Sequence, residues 1–236
     1  MFGSYKTVLI TGAGKGIGLA IAKKYIAEGY NVICHYHSSR PLFDGATFIK
    51  GDFSTESGVE KFIQECTSLA IKVDVLINNA ACFYIANRWE EIPMLKIDEV
   101  LQINFKAPLR LSQFFIDKML LKKWGRIVNI SSISVEHGGN PASLAYTTSK
   151  AALESMTRTV SKKTARSGVL INAIRVGLTD TEFHKKNPKK LINARVNQIP
   201  IGRMATPKEI ASVIYFYGSD LNTFTAGSII KVAGGE

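Results

Sequence analysis

The chain has 236 residues, 46% hydrophobic and 21% charged, with 30 Lys and Arg against 19 Asp and Glu and a formal net charge of +11. This composition excludes disordered and fibrous classes and suits one large domain, while no apolar run approaches the ~18 residues that span a bilayer. The three cysteines, Cys34, Cys66 and Cys82, are too widely spaced for a disulfide framework or a CxxC metal site, so a reduced, cytoplasmic protein is expected.

Lys6-Thr7-Val8-Leu9-Ile10 predicts a short buried strand, and the apolar stretch there is too short for a signal-peptide core. Ile17, Ile21 and Tyr25 then recur at helical spacing, and Gly29 marks a stop, so a helix is expected over residues 17–28. Strands are predicted at residues 31–36, 46–49, 73–78, 125–131, 170–176 and 229–232. Helical patterns lie between them: one face carries Val59, Phe62, Ile63 and Cys66, a long helix is expected over 97–119, and another over 144–166. Thr206-Pro207-Lys208-Glu209 reads as a capping box with Pro at the first helical position. Strands alternating with helices of this length predict a single α/β domain over residues 1–236, a Rossmann-type doubly wound parallel sheet with helices on both faces. The least regular stretch, residues 177–202, carries Lys185, Lys186, Lys189 and Lys190 and is expected to be a lid.

Between the first strand and helix stands Gly-x-x-x-Gly-x-Gly, carried by Gly12, Gly16 and Gly18, with Gly14, Lys15 and Ile17 among them. Glycines let the backbone approach a phosphate, and the N–H groups of a helix N-terminus bind it. In a strand–turn–helix context the pattern predicts dinucleotide binding. The second strand ends Cys34-His35-Tyr36-His37-Ser38-Ser39-Arg40, with no acid before Asp44. An acid there would bind a free ribose 2′-hydroxyl. Lys15, Ser38 and Arg40 are placed to surround a 2′-phosphate instead, so NADP(H) is expected over NAD(H). His35 and His37 share a strand face, but no third ligand follows. No metal site is expected, and each histidine is read as packed or phosphate-facing.

Tyr146 and Lys150 fall one helical turn apart on one face. A neighbouring ammonium lowers a phenol's pKa, so the pair can move a proton to or from an alcohol or carbonyl oxygen. Ser132, just past the fifth strand, offers a hydroxyl to the same oxygen. Ser131 and Ser134 flank it and leave its assignment open.

With these pieces in order from Thr11-Gly12-x-x-x-Gly16-Ile17-Gly18 to Val232-Ala233-Gly234-Gly235, the chain resembles the classical short-chain dehydrogenase/reductase family over nearly its whole length. Asp52, Asn78-Asn79-Ala80, Asn104, Tyr146-x-x-Ser149-Lys150 and Asn172-Ala173-Ile174-Arg175 stand between those ends. The resemblance implies that Tyr146 is the general acid, that Lys150 lowers its pKa and holds the nicotinamide ribose, and that Ser132 orients the substrate oxygen. It implies that Asn104 holds a relay water, that Asp52 contacts adenine, and that Phe53, His37, Asn78, Ala80, Gly177, Thr179 and Thr181 join the cofactor site. Asn78 and Asn104 have a structural alternative, the satisfaction of backbone groups. Ala81, Val176 and Ala233 depart from the family pattern without removing a reactive group.

Within the family the length and tail look most like the 3-oxoacyl-acyl-carrier-protein reductases. That implies fatty acid biosynthesis, an acidic carrier steered by Lys122, Lys123, Arg126, Arg166 and the lid lysines, and a homotetramer or homodimer. His35-Tyr36-His37-Ser38 resembles pteridine reductases, and small ketones, quinones and sugars stay open as substrates. So does a non-catalytic NADP(H)-binding regulator. Nucleic acid is disfavoured because the basic residues are dispersed.

Overall fold

A computed structural model describes residues 6–38, 40–182 and 189–236. Ser39, Lys185 and Lys186 lie outside the described residues. Among the described residues seven strands form one sheet, in the order β3-β2-β1-β4-β5-β6-β7. They are β1 (Thr7–Ile10), β2 (Asn31–Tyr36), β3 (Ala46–Lys50), β4 (Val75–Asn78), β5 (Gly125–Ser132), β6 (Val169–Val176) and β7 (Ile229–Val232), and each pairing is parallel.

Side chains of a strand alternate between its two faces, and both faces here are covered. Leu9, Leu76 and Ile127 point to one side, where they join Phe62 of α2 (Glu56–Ser68) and Leu111, Phe115 and Met119 of α4 (Ala107–Lys122). Val8, Ile10, Val75, Ile77 and Val128 point to the other, onto Ile21 and Tyr25 of α1 (Gly16–Ala27) and Ile210 and Ile214 of α8 (Pro207–Tyr217). The Thr206–Glu209 capping box is present in both directions.

The long helix expected over 97–119 is broken in an informative way. It runs as α3 (Met94–Leu101), a π turn at Gln102–Lys106, and then α4, with the Ala107 N–H reaching back to the Gln102 carbonyl. The π turn holds Asn104, and such turns frequently mark functional sites. The lid segment also contains structure: Lys189–Val196 forms α7. A short α5 (Ser134–His137) follows β5, and α6 (Leu144–Thr164) then carries Tyr146 and Lys150.

No helix among the described residues is long and apolar enough to cross a membrane. The sheet reverses its winding between β1 and β4. Open α/β sheets bind ligands in the crevice beyond the carboxyl ends of strands at such a switch point.

Candidate active site

The glycine turn follows β1 directly and is stapled to the end of β4. The Thr11 hydroxyl accepts from the N–H groups of Asn79 and Ala80, both at 2.9 Å. The Asn79 amide donates to the carbonyls of Thr11 (2.9 Å) and Gly12 (3.0 Å). Two glycines make this fit possible. A Cβ on Gly12, which has φ +65°, would stand 2.8 Å from Ala80 Cα, and one on Gly18 would stand 2.3 Å from the Gly12 carbonyl oxygen. The turn is therefore closed to side chains at these two positions and runs directly into the N-terminus of α1. Gly18→Ala is expected to force the turn away from β4. NADPH binding, followed by fluorescence, should weaken about tenfold or more, and unfolding should cost about 1–3 kcal/mol less.

Beneath the turn, His35 is a buried strut. Its Nδ1 accepts from the Gly12 N–H at 3.1 Å, its Nε2 faces the Gly51 carbonyl at 3.1 Å, and its ring stacks on Phe53 at 3.9 Å. Burial pushes its pKa down to about 4, so it stays neutral and can keep both bonds. Phe53, expected at the cofactor, is 4% exposed and packed between His35 and Phe62, so its ring does not face the cleft. Its polar neighbour Asp52 is exposed, with the Ser54 side chain and backbone holding its carboxyl below the usual range.

At the end of β2, Lys15, His37, Ser38 and Arg40 are all exposed. His37 Nε2 lies 3.7 Å from Asp52, and the Arg40 guanidinium sits over the Phe48 ring at 5.1 Å. Pro41, beside Arg40, packs over Gly14: a Cβ there would lie 3.7 Å from Pro41 Cγ. The basic loop thus lies against the glycine turn.

A cleft of about 980 Å³ opens beside this turn and is lined by Ile17, Asn79, Ser132, Tyr146, Lys150 and Thr181 among others. Two elements deliver three of its polar groups: β5 ends in Ser132, and α6 presents Tyr146 and Lys150 one turn apart. Strand alternation separates the two serines that end β5. Ser131 points away, donating to the buried Glu154 carboxylate at 2.7 Å, which Arg175 also grips through two bonds of 2.7 Å. Ser132 faces the cleft, accepts from Ser134 at 3.0 Å and lies beside the Tyr146 phenol, whose pKa it pulls down.

Lys150 is 2% exposed and donates to the Ile130 carbonyl at 2.7 Å. Burial pulls its pKa down to about 8, against a small upward pull from Cys82. Its ammonium stands 5.7 Å from the Tyr146 ring centroid. The expected direction for Tyr146 is not what the site imposes. Burial raises its pKa above the usual phenol value, and the Ser132 hydroxyl and the charge of Arg195 only partly oppose that. Desolvation of the phenolate outweighs them.

Other expected positions are redistributed. Asn78 is 1% exposed and lies within the core, where its amide donates to Ser112 (3.3 Å) and Asn129 (2.8 Å). The adjacent Asn79 lines the cleft. Asn78 ends β4 and Asn79 follows it directly, and the one-residue offset turns their side chains to opposite sides. The Asn104 side chain is fully engaged: it accepts from the Cys82 N–H (2.8 Å) and donates to the Cys82 carbonyl and Ser149 (both 3.0 Å). A relay water at Asn104 would therefore have to use its backbone. Gly177 packs against Ala233, where a Cβ would stand 2.7 Å from Ala233 Cα, and the Thr179 hydroxyl donates to the Gly177 carbonyl at 3.0 Å. Thr181 lies over Gly16 at the start of α1.

The basic residues expected to steer a carrier differ in exposure and partners. Arg126 is 5% exposed and bonds the carbonyls of Ser219, Gly125, Gly168 and Asn222, so it holds backbone together. Lys122 pairs with Asp74 at 2.6 Å. Lys123 and Arg166 are exposed but precede β5 and β6, at the amino edge of the sheet. An eight-residue strand puts that edge roughly 25 Å from the cleft.

The family model described as enoyl-(acyl carrier protein) reductase matches residues 12–236. The chain is 35% identical to the 3-oxoacyl-[acyl-carrier-protein] reductase FabG of Rickettsia felis, over 98% of this chain and 96% of that protein. A solved 3-oxoacyl (acyl-carrier-protein) reductase from Agrobacterium tumefaciens C58, with NADP bound, superposes with a TM-score of 0.89 at 26% identity, covering 98% of this chain and 94% of that one. A structure from Beutenbergia cavernae, assigned as an NAD(P)-dependent gluconate 5-dehydrogenase and holding NADP, superposes with a TM-score of 0.87 at 31% identity, covering 98% and 96%.

Proposed function

The chain belongs to the short-chain dehydrogenase/reductase family, and on that footing we propose that it reduces the carbonyl of a 3-oxoacyl thioester, delivered by an acyl carrier protein, at the expense of NADPH. The observation that carries this reading is the meeting of Ser132, Tyr146 and Lys150 in one cleft beside the glycine turn. The turn suits a dinucleotide because its glycines let it pack tightly against Ala80 and its own backbone and lead straight into the N-terminus of α1, whose N–H groups favour a phosphate. NADPH bound there would supply a hydride to the carbonyl carbon.

The protein's own residues would do the rest. Ser132 would orient the carbonyl oxygen and Tyr146 would give it a proton. Its raised pKa keeps the phenol protonated at neutral pH. Lys150 would hold the ribose and restore charge balance as the proton leaves. Lys15, Ser38 and Arg40 would take the 2′-phosphate, with Asp52 toward the adenine and Thr181 near the phosphates or the nicotinamide amide. The described parts of the expected lid, residues 177–182 and 189–202, would cover the cleft, and they carry Lys189 and Lys190.

A second reading, a polyhydroxy acid substrate, is favoured by the polar wall of the cleft, which includes His137, Asn140, Arg195 and Gln198. The test is NADPH oxidation against acetoacetyl-carrier, acetoacetyl-pantetheine, a 5-oxo sugar acid, small ketones, quinones and a dihydropterin. Fastest turnover of the carrier thioester is expected. Preference for the sugar acid would replace the first reading with the second, and no turnover of any carbonyl would overturn both. NADPH should be preferred to NADH, and Arg40→Ala should reduce that preference by about tenfold or more. Charge reversal at Lys123 or Arg166 should leave turnover unchanged.

A further inference from the structure

We propose that Glu236 is a substrate-binding, specificity-determining residue of the cleft, accepting a hydrogen bond from a hydroxyl or amide N–H of the substrate. This rests on the cleft being a carbonyl-reduction site. After β7 the chain turns back through Gly234 (φ +65°) and Gly235 (φ +94°), a conformation that strains other residues. The turn is clamped on the segment after α7. The Ile201 N–H donates to the Gly234 carbonyl at 3.0 Å, and a Cβ on Gly234 or Gly235 would stand 2.6 Å from Ile201 Cγ2 or 2.9 Å from Pro200 Cγ. The Glu236 N–H donates to the Ala233 carbonyl at 3.2 Å. The clamp aims the Glu236 side chain into the wall of the cleft, where it is only 11% exposed.

The two carboxylate oxygens are used unequally. Oε1 faces Arg195 of α7 at 3.4 Å and His137 of α5 at 3.9 Å. Oε2 is buried and has no hydrogen-bond partner among the described residues. A carboxylate oxygen is acceptor-only, and leaving one buried and unpaired is costly. The contacts of Oε1 are long, so the carboxylate can turn, and a turn that presents an oxygen to a substrate donor in the cleft removes that cost. Arg195 meanwhile acts electrostatically on Tyr146, so the Arg195–Glu236 pair belongs to the reacting end of the cleft. Two donor sources share this chemistry, the hydroxyls of a polyhydroxy acid and the amide N–H groups of a pantetheine arm.

The test compares Glu236→Ala and Glu236→Gln with the parent on acetoacetyl-pantetheine, a 5-oxo sugar acid and ethyl acetoacetate, which carries no such donor. For Glu236→Ala, KM for a donor-bearing substrate should rise about tenfold relative to KM for ethyl acetoacetate. Glu236→Gln keeps an acceptor oxygen and should recover most of the loss. The donor-bearing substrate that shows the effect identifies the source. The ratio of KM values does not depend on the fraction of folded enzyme, so a destabilised variant still decides. Equal effects on all three substrates would make Glu236 a strut between Arg195 and His137 and overturn the proposal, as would no effect on any. If the parent reduces none of the three, the reductase reading itself falls.

Discussion

Tyr146→Phe is expected to lower kcat/KM for carbonyl reduction by about 10²–10⁴-fold while leaving NADPH affinity within a factor of two or three. The substitution keeps the ring that meets Phe83 edge-on at 5.0 Å and removes one oxygen. That oxygen is the group that shares the cleft with Ser132, and its raised pKa fits it to give a proton rather than to take one. A loss of this size corresponds to about 3–5.5 kcal/mol of transition-state stabilisation. The check is steady-state kinetics beside a fluorescence titration of NADPH. Undiminished turnover would remove Tyr146 as the acid and direct attention to Ser132 and Ser134.

Lys150→Met is expected to abolish most turnover and also to change how stability depends on pH. Lys150 is buried with a pKa held near 8, against 10.5 when exposed. Between those values the unfolded chain binds the proton that the folded chain has released. Stability contributed by this group therefore rises with pH across that window. The cost of the buried ammonium is present in full below pH 8 and is gone above 10.5. The shift, about 2.5 pH units, is worth on the order of 3 kcal/mol. Methionine has no such titration, but it orphans the Ile130 carbonyl that Lys150 bonds. The decisive reading is therefore the slope. In urea melts at pH 7.5 and pH 10, the parent should gain on Lys150→Met as pH rises, and parallel profiles would contradict a depressed lysine pKa. The same titration predicts that reductase activity of the parent falls as pH passes 8, where the ammonium loses its charge.

Comparing pattern with structure separates two kinds of information. The parallel sheet was legible because Val8-Leu9-Ile10, Val75-Leu76-Ile77 and Ile127-Val128 are apolar on consecutive positions, as strands covered on both faces must be. The glycine turn was legible because its geometry admits only glycine at Gly12 and Gly18, and the Tyr146–Lys150 pair because helical spacing alone puts them on one face. Each of these constraints acts within a few residues of chain.

What stayed hidden depends on contacts between distant segments. Nothing local says that Asn79 rather than Asn78 meets the glycine turn; the register of β4 against β1 decides it. Phe53 and Arg126 read as a cofactor contact and a surface charge, yet His35 takes the ring of one and four backbone carbonyls take the other. Tyr146 was expected to titrate downward beside Lys150, but desolvation by the assembled fold prevails. Glu236 gave no motif signal, and only the turn at Gly234 and Gly235 brings it to the cleft.

The sequence by itself thus determined the strand order's raw material, the phosphate-binding turn and the proton-transfer pair, because periodicity, backbone sterics and one-turn spacing are short-range. The tertiary structure alone decided which charges are buried, which serine faces the cleft and what lines its wall. Burial and partnership are set by segments far apart in the chain, and no local pattern encodes them.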